Sequence, residues 1–344
     1  MVDEKPNYDM ASAWNNTNRG NQKYDAWLHW NVTTRCNLSC IFCCGKVYQQ
    51  KTQIQEKPIL EKLLRIIREA GTFGLFAILK RKLKRIIFGV TADEINIPSL
   101  IRTLDKTKKI FRIGFTGGEP FLISNFIEAC QEITKKHFIA LNTNLTSNKI
   151  KEFCEKIDPL RVVHFNASTH IKELERLNLM DRYICNFLIC KECGFNIFSR
   201  EVAFPPLLGE VDKYKRFFKE AGIELTFGPF CGEYQGKQYP QAYTEKEIEI
   251  FGLNKTSDSD IRHFYQKGKF CNVGYNVGVV DLYGDIQPCF LIKEAMGNIY
   301  GEISFRNELI KCPFEFCGCP FKDHDNYLFE KALEEHGVIK KTKG

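Results

Sequence analysis

The 344-residue sequence contains no apolar run of the roughly 18 residues that a membrane-spanning helix needs. It also contains no low-complexity tract, and its 44% hydrophobic and 26% charged residues are the balance typical of a globular protein. The opening stretch MVDEKPNYDMASAWNNTNRG is polar and lacks the apolar centre of a secretory signal. These absences predict a cytoplasmic protein.

The sequence has no strong excess of charge of either sign. Its formal net charge of +7 is compatible with an anionic substrate but does not by itself indicate nucleic acid binding. We therefore expect no nucleic acid partner.

Cysteine is abundant, with 15 residues. Cytosolic thiols are kept reduced, so disulfides are not expected. Tight cysteine groups in a reducing compartment are typical of metal sites. One group lies near the start of the chain and one near its end: Cys36, Cys40, Cys43 and Cys44, then Cys271, Cys289, Cys312, Cys317 and Cys319. The scattered remainder are expected to be mostly small buried residues: Cys130, Cys154, Cys185, Cys190, Cys193 and Cys231.

Short β-like runs alternate with helical stretches through the first two-thirds of the chain, which indicates βαβ units and a parallel sheet. Six strands are predicted at 27–32, 111–116, 137–143, 162–168, 195–204 and 223–230. Helices are predicted at 123–136, 147–157, 171–193 and 210–221. Six such strands make an open or partial barrel with ligands at the carboxyl ends of the strands.

The pattern divides the chain into four parts. A polar arm over 1–25 precedes a barrel over 26–238, a polar helical linker over 239–268 and a small cysteine-rich unit over 269–344. A unit that short has little core of its own, and bound metal is a common remedy.

A stretch over 45–110 interrupts the barrel pattern as an insertion. It contains an amphipathic helix at 58–70 and the basic run TFGLFAILKRKLKRIIF at 72–88. One interpretation of the basic run is a solvated face of a packed helix. The other is a surface that binds an anionic substrate or makes peripheral membrane contact.

The string RCNLSCIFCC places Cys36, Cys40 and Cys43 on one loop after the first strand. Such close spacing lets one loop surround a single metal centre with thiolates. If the centre is a four-iron cluster, three protein thiolates leave one iron open for a ligand. Cys44 is interpreted as a bystander. The alternatives to an iron–sulfur cluster are a zinc site or a chance grouping of cysteines.

The second predicted strand ends in FTGGEP. Two glycines let backbone carbonyls approach a ligand closely, and Glu119 offers a negative partner for an ammonium group. The CxxxCxxC loop, the aromatic Phe42 before its last cysteine and the string Gly117-Gly118-Glu119-Pro120 together resemble the radical S-adenosylmethionine (SAM) superfamily. In that family the GGEP motif holds the methionine amino group of SAM.

The resemblance implies a partial (βα)6 TIM-like barrel with a small cysteine-rich C-terminal iron–sulfur extension. It implies a [4Fe-4S] cluster on Cys36, Cys40 and Cys43 that binds SAM and takes electrons from an external flavodoxin-type or ferredoxin-type reductant. Cleavage of SAM would give a 5′-deoxyadenosyl radical, which abstracts a hydrogen atom from the substrate.

Four further positions are candidates by their place on the strands. Asn144, Ser168 and Arg200 match places where the family contacts ribose and carboxylate, although each could equally be a polar residue of the barrel wall. Cys231, in the turn GPFCGEY, is either a buried thiol or a catalytic hydrogen-atom donor.

The C-terminal cysteines, with Gly284 before Cys289 and the string MGNI, resemble SPASM and twitch extensions. Those extensions bind auxiliary iron–sulfur clusters, and five cysteines suit one such cluster. Cys271 and Cys289 are the firmest ligands, joined by two of Cys312, Cys317 and Cys319. Zinc is the alternative.

The resemblance specifies the cofactor chemistry and leaves the substrate open. A small or glycan-like metabolite that is oxidised or rearranged is favoured, and maturation of a ribosomal peptide is the alternative. A non-catalytic iron–sulfur or zinc protein is the alternative of another class. The pair Cys190-x-x-Cys193, just before a strand, is expected to be packed rather than redox-active.

Overall fold

The computed structural model describes residues 23–43, 94–253, 255–256, 259–260, 266–315 and 326–339. The polar arm as far as residue 22, the predicted helix at 58–70, the basic run at 72–88, Cys44, Cys317 and Cys319 lie outside these ranges.

Six strands, parallel between neighbours, make up most of the eight-stranded main sheet and follow one another in chain order. They are β1 (Ala26–Thr33), β2 (Phe111–Gly117), β3 (Phe138–Thr143), β4 (Val162–Ser168), β5 (Ile197–Ala203) and β6 (Leu225–Pro229). Parallel neighbours require crossover connections, which the helices supply. The predicted α/β partial barrel is confirmed, and no predicted strand end differs from the observed one by more than two residues.

The described helices are α1 (Ile97–Lys106), α2 (Phe126–Thr134), α3 (Ile150–Lys156), α4 (Ile171–Arg176), α5 (Met180–Glu192), α6 (Val211–Glu220), α7 (Glu245–Phe251) and α8 (Asn326–Glu335). Short 3-10 turns occupy Pro120–Leu122, Pro159–Arg161 and Pro205–Glu210. The prediction of one helix over 171–193 is wrong. Asn178 adopts a left-handed φ of 53°, which ends α4 and lets α5 begin in a new direction.

Helix α1 lies inside the range 45–110 that is predicted to be an insertion, and its Leu100 and Leu104 are fully buried in the barrel core. It therefore serves as the crossover between β1 and β2.

The two faces of each barrel strand differ because side chains alternate along a strand. In β2, Phe111, Ile113 and Phe115 pack into the large core under the helices. Arg112 and Thr116, on the alternate positions, face the inside of the barrel. This alternation aims polar groups at the barrel interior and apolar groups at the helices.

The remaining strands are short: β7 (Gly232–Tyr234), β8 (Lys237–Tyr239), β9 (Lys255–Thr256), β10 (Ser259–Asp260), β11 (Phe270–Cys271), β12 (Val277–Val280), β13 (Ile286–Gln287), β14 (Gly297–Asn298), β15 (Glu302–Ile303) and β16 (Ile310–Lys311). Two of them extend the main sheet. Strand β12 pairs in parallel with β1, and β13 pairs antiparallel with β12.

The C-terminal segment consequently shares the barrel's sheet and core. Leu328 of α8 is fully buried in a cluster with Tyr24 and Trp27, and Lys331 forms a 3.0 Å ion pair with Asp25. The four-residue run VGVV is too short to give a clear strand pattern, so this pairing could not be predicted from the sequence. Among the described helices, none is long and apolar enough to cross a membrane.

The aromatic core predicts a large cost for truncation at Phe153. Its ring is fully buried and lies 5.5 Å from Phe121, 5.5 Å from Phe165 and 5.9 Å from Phe195, measured between ring centroids. We expect Phe153→Ala to lower the free energy of unfolding by about 3–5 kcal/mol in urea denaturation. The control Phe217→Ala removes a 42% exposed ring and should cost far less. Equal losses in the two variants would show that this core is not packed as described.

Candidate active site

An open cavity of about 210 Å³ lies at the carboxyl ends of β2, β3 and β4, and we refer to it as the strand-end cavity. Its lining is formed by Cys36, Thr116, Gly117, Gly118, Asn142, Thr143, Asn144, Asn166, Ser168 and His170. The cavity therefore collects five residues predicted from sequence, namely Cys36, Gly117, Gly118, Asn144 and Ser168, where the parallel fold places ligand sites.

The loop after β1 carries the first cysteine group. Cys36 is exposed at the cavity, Cys40 is buried and Cys43 is half-buried. Burial is the main cause that raises the pKa of the Cys40 thiol, and the charges of Cys36 and Cys43 raise it further.

The donor set suits an iron–sulfur cluster. The backbone N–H of Leu38 donates to Cys36 Sγ at 3.4 Å, and the Asn144 side-chain amide donates to the same sulfur at 3.8 Å. Such bonds stabilise a thiolate and tune cluster potentials. Among the described residues, no three Cys, His, Asp or Glu side chains converge on a single ion. A four-iron cluster needs no such convergence, because each thiolate binds a different iron.

Gly117 and Gly118 hold the cysteine loop against the end of β2. The N–H of Gly118 donates to the Thr33 carbonyl at 2.6 Å, and the N–H of Glu119 donates to the Arg35 carbonyl at 2.7 Å. A Cβ on Gly118 would overlap the Arg35 carbonyl, and Gly117 has a φ of 120°. Glycine is required at both positions because the two backbones run in contact.

The Glu119 side chain is buried beside the cavity. Its carboxylate accepts hydrogen bonds from the Thr143 hydroxyl at 2.8 Å and from the N–H groups of Asn144 at 2.8 Å and Phe121 at 3.1 Å. Burial raises the pKa of Glu119 to about 7, against the lowering effect of these bonds. The carboxylate thus joins the ends of β2 and β3, a role that the sequence did not predict.

Asn144 connects β3 to the cysteine loop. Its side-chain amide donates to Asn37 Oδ1 at 2.8 Å as well as to Cys36 Sγ. Asn37 in turn donates to the Thr146 hydroxyl at 2.8 Å. Asn144 therefore lines the cavity and orients the loop that carries the cysteines.

Ser168 and Arg200 are neighbours across β4 and β5, paired in register. Ser168 lines the cavity. The Arg200 guanidinium lies over Gly228 of β6, where any Cβ would meet its Nε. Burial lowers the pKa of Arg200 to about 10, so the group remains cationic at neutral pH.

His170 was not predicted from the sequence, yet it lines the cavity two residues after Ser168. Its Nδ1 is buried without a hydrogen-bond partner, and its ring centroid lies 5.6 Å from that of Phe42. His170 adopts a left-handed φ of 45°, which is costly for a residue other than glycine. Glu201 accepts a hydrogen bond from the Ile171 N–H at 2.6 Å and caps α4 in its place.

Asn142 and Asn166 were also missed. The Asn166 amide donates to Asn142 Oδ1 at 2.9 Å, and Asn166 Oδ1 is buried without a partner. Alternation along β3 and β4, with Leu141 and Phe165 facing the core, could have placed both amides inside the barrel.

Cys231 is exposed in the turn after β6, so the interpretation of it as a buried thiol is wrong. Of the scattered cysteines, Cys130, Cys154 and Cys190 are buried as expected, whereas Cys185 and Cys193 are exposed.

Three cysteines of the second group are described. Cys271 in β11 pairs with Ile310 of β16, which brings the neighbouring segment with Cys312 alongside it. Cys271 packs against the cluster that contains buried Cys289, whose Sγ accepts the Ile292 N–H at 3.3 Å. The β11–β16 pairing thus brings the segments of Cys271 and Cys312 together, and Cys289 belongs to the cluster against which Cys271 packs.

No protein-family model matches the sequence. Two curated relatives, each named GTP 3′,8-cyclase, come from Clostridium perfringens strains 13 and SM101. Each is 21% identical to this chain over 276 or 277 residues, which is 77% of this chain and 74% of the relative.

Among solved structures, the sulfatase-maturating enzyme anSMEcpe with bound SAM superposes with a TM-score of 0.47 at 17% identity, over 80% of this chain and 77% of that one. SuiB of Streptococcus suis bound to SAM gives a TM-score of 0.45 at 16% identity, over 80% of this chain and 64% of that one.

The curated relatives are radical SAM enzymes. Their similarity over most of the chain confirms the resemblance to this superfamily that the cysteine loop and the GGEP string indicate.

The docking of the cysteine loop predicts the effect of Gly118→Ala. The added methyl group must push Arg35 away from β2, which displaces Cys36 from the cavity. We expect iron retention after anaerobic reconstitution to fall severalfold. The control Gly209→Ala adds a methyl group with no atom within 4 Å and should retain iron like the wild type. Normal iron content in the Gly118 variant would contradict the close approach.

Burial of Glu119 predicts a pH-dependent stability difference. The pKa of the folded protein is about 7 and the ordinary value is 4.5, so the folded state holds the proton more tightly. The contribution of Glu119 is therefore fully present below pH 4.5 and is lost as the pH rises through about 7.

Glu119→Gln should accordingly gain stability relative to wild type by about 2–3 kcal/mol between pH 5 and pH 8. Urea unfolding of matched iron-free samples measures this difference. Glu152→Gln alters an exposed carboxylate whose pKa is lowered by its hydrogen bond to Lys156, and it should show no change over the same window. A constant difference for the Glu119 variant would mean that this carboxyl is ionised throughout.

Proposed function

We propose that this chain is a radical SAM enzyme that abstracts a hydrogen atom from a small anionic or glycan-like metabolite and so oxidises or rearranges it. The supporting observation is the strand-end cavity, in which Cys36, Gly117, Gly118, Asn144 and Ser168 meet although they come from four separate segments. Only the fold brings these residues together, so their convergence is independent of the motif spacing.

Cys36, Cys40 and Cys43 would hold the SAM-binding [4Fe-4S] cluster, and Cys271 and Cys289 would contribute to an auxiliary cluster. When bound, the cluster and SAM supply one-electron cleavage of a carbon–sulfur bond and a 5′-deoxyadenosyl radical. The residues of this chain position both partners and keep water away from the radical.

Residues that line the cavity or lie beside it have contacts that suit particular roles. The backbone of Gly117 and Gly118 offers polar groups to the methionine end of SAM, close to Cys36. Ser168 and Arg200 lie beside each other, so the hydroxyl and the cation suit a carboxylate. Phe42 packs on His170 and Phe204, at ring distances of 5.6 and 5.4 Å, and forms an apolar wall against which a nucleoside can stack.

The substrate class follows from the groups that SAM would leave available. The side-chain Oδ1 of Asn166 and the Nδ1 of His170 are buried at the cavity without hydrogen-bond partners. Buried polar atoms of this kind select ligands that offer hydroxyl or amide hydrogens. The GTP 3′,8-cyclase relatives are named for a nucleotide substrate, which supports a phosphorylated small molecule.

Anaerobic reconstitution tests the proposal. Wild-type protein should hold about eight irons, four in each of two clusters, and should form 5′-deoxyadenosine with dithionite and SAM. Cys40→Ala should hold about four irons and form no 5′-deoxyadenosine. The control Cys185→Ser changes an exposed cysteine on α5 and should behave like wild type. Zinc in place of iron, or a fully loaded protein that does not cleave SAM, would contradict the proposal.

The same assay, with candidate substrates added, tests the proposed substrate class. Pools of nucleotides and sugar phosphates should increase 5′-deoxyadenosine formation severalfold above the uncoupled rate. Stimulation by peptides alone would leave the cofactor chemistry intact and overturn the small-molecule assignment.

A further inference from the structure

Three cysteines away from the strand-end cavity lie together between α3 and α5. Cys154 on α3 and Cys190 on α5 have their sulfurs 3.6 Å apart. Cys193 directly follows α5 and lies three residues, about one helical turn, beyond Cys190. They sit at the amino ends of β4 and β5, at the edge of the sheet opposite the strand-end cavity.

The three thiols differ in access. Cys154 is 8% exposed and Cys190 is fully buried, whereas Cys193 is exposed. Gly194 follows with a left-handed φ of 81° and nothing within 4 Å of a Cβ placed on it. A reagent in solution can therefore reach Cys193 more readily than Cys154, and Cys190 is not accessible to it.

The thiols also differ in acidity. Hydrogen bonds from Cys190 and then from Cys193 lower the pKa of Cys154, against the opposing effect of burial. The hydrogen bond to Cys154 is also the main cause that raises the pKa of Cys190. Partial burial and the charge of Cys154 raise the pKa of Cys193. Cys154 is thus the thiol of the three that most readily becomes a nucleophile.

We propose that Cys154, Cys190 and Cys193 form a dithiol–disulfide centre that exchanges with a low-molecular-weight disulfide through Cys193. This site is independent of the proposed radical chemistry. It also corrects the expectation that the Cys190-x-x-Cys193 pair is merely packed, since only Cys190 is buried.

The exchange balances without any further oxidant. The Cys193 thiolate attacks the small disulfide, forms a mixed disulfide and releases one small thiolate. The Cys154 thiolate then attacks the Cys193 sulfur, forms a Cys154–Cys193 bond and releases the second small thiolate. Two protein thiols are oxidised, one small disulfide is reduced to two thiols, and the two thiol protons pass to the released thiolates.

Cys190 can then replace Cys193 as the disulfide partner of Cys154. Its sulfur lies 3.6 Å from that of Cys154, so a Cys190 thiolate can attack there and return Cys193 to the thiol form. The product is a buried disulfide, and buried disulfides are protected from reduction by solution thiols.

The test uses the full-length reconstituted protein with oxidised glutathione under anaerobic conditions. Free thiols are then alkylated, and tryptic peptides are analysed by mass spectrometry. Cleavage after Lys151, Lys156, Arg182 and Lys191 places Cys154, Cys190 and Cys193 on three peptides. Cys185 shares the peptide with Cys190, so fragment ions of that peptide identify which of the two cysteines is linked. The expected result is a peptide with Cys154 linked to the peptide with Cys193 first and to the peptide with Cys190 later.

Cys193→Ser should slow the formation of any Cys154 linkage by about tenfold or more, because the entry thiol is lost. Cys185→Ser, which removes an exposed thiol from the same helix, should leave the rate unchanged. Equal rates in Cys193→Ser and wild type would overturn the proposal. So would wild-type protein that gives only glutathione adducts and no linked peptides.

Discussion

The contact between the cysteine loop and the end of β2 is the constraint on which the site depends. Two backbone hydrogen bonds, from Gly118 to Thr33 and from Glu119 to Arg35, hold the segments together. These bonds form only because Gly117 and Gly118 carry no side chains between the end of β2 and the cysteine loop. The position of Cys36 at the cavity follows from this contact, and the GGEP string is therefore a docking surface for the loop as well as a place to meet a ligand.

Polar side chains then fix the contact from the β3 side. Glu119 binds Thr143 and Asn144, and Asn144 binds Asn37 and the Cys36 sulfur. Because this network is buried, leaving any of its polar groups without a hydrogen bond would be costly. The side chains of the network are therefore held in one arrangement. The raised pKa of Glu119 is the electrostatic cost of placing this carboxyl there. That cost is offset by order at the cavity, because the network fixes the positions of the groups that a ligand would meet there.

The barrel strands could be predicted from sequence because each is a run of five or more residues with apolar side chains on its core face. The predicted site residues Cys36, Gly117, Gly118, Asn144 and Ser168 lie together because all follow or end parallel strands. Three features could not be predicted for physical reasons. The β12–β13 pair is too short to carry a pattern, the break at Asn178 depends on one left-handed residue, and His170 becomes significant only once Phe42 packs beside it.

The start of helix α4 is stabilised by Glu201 and not by His170, the residue that precedes the helix. A helix such as α4 usually begins with a residue whose side chain caps its own first turn. Here Glu201, on the neighbouring strand β5, caps α4 through the Ile171 N–H, and Thr169 donates its N–H to the Arg200 carbonyl at 2.9 Å. These two bonds hold His170 in a left-handed conformation that an asparagine or glycine would adopt with less strain. Since the helix does not need the imidazole and the backbone disfavours it, the position is best explained by what the ring faces, which is the strand-end cavity and Phe42.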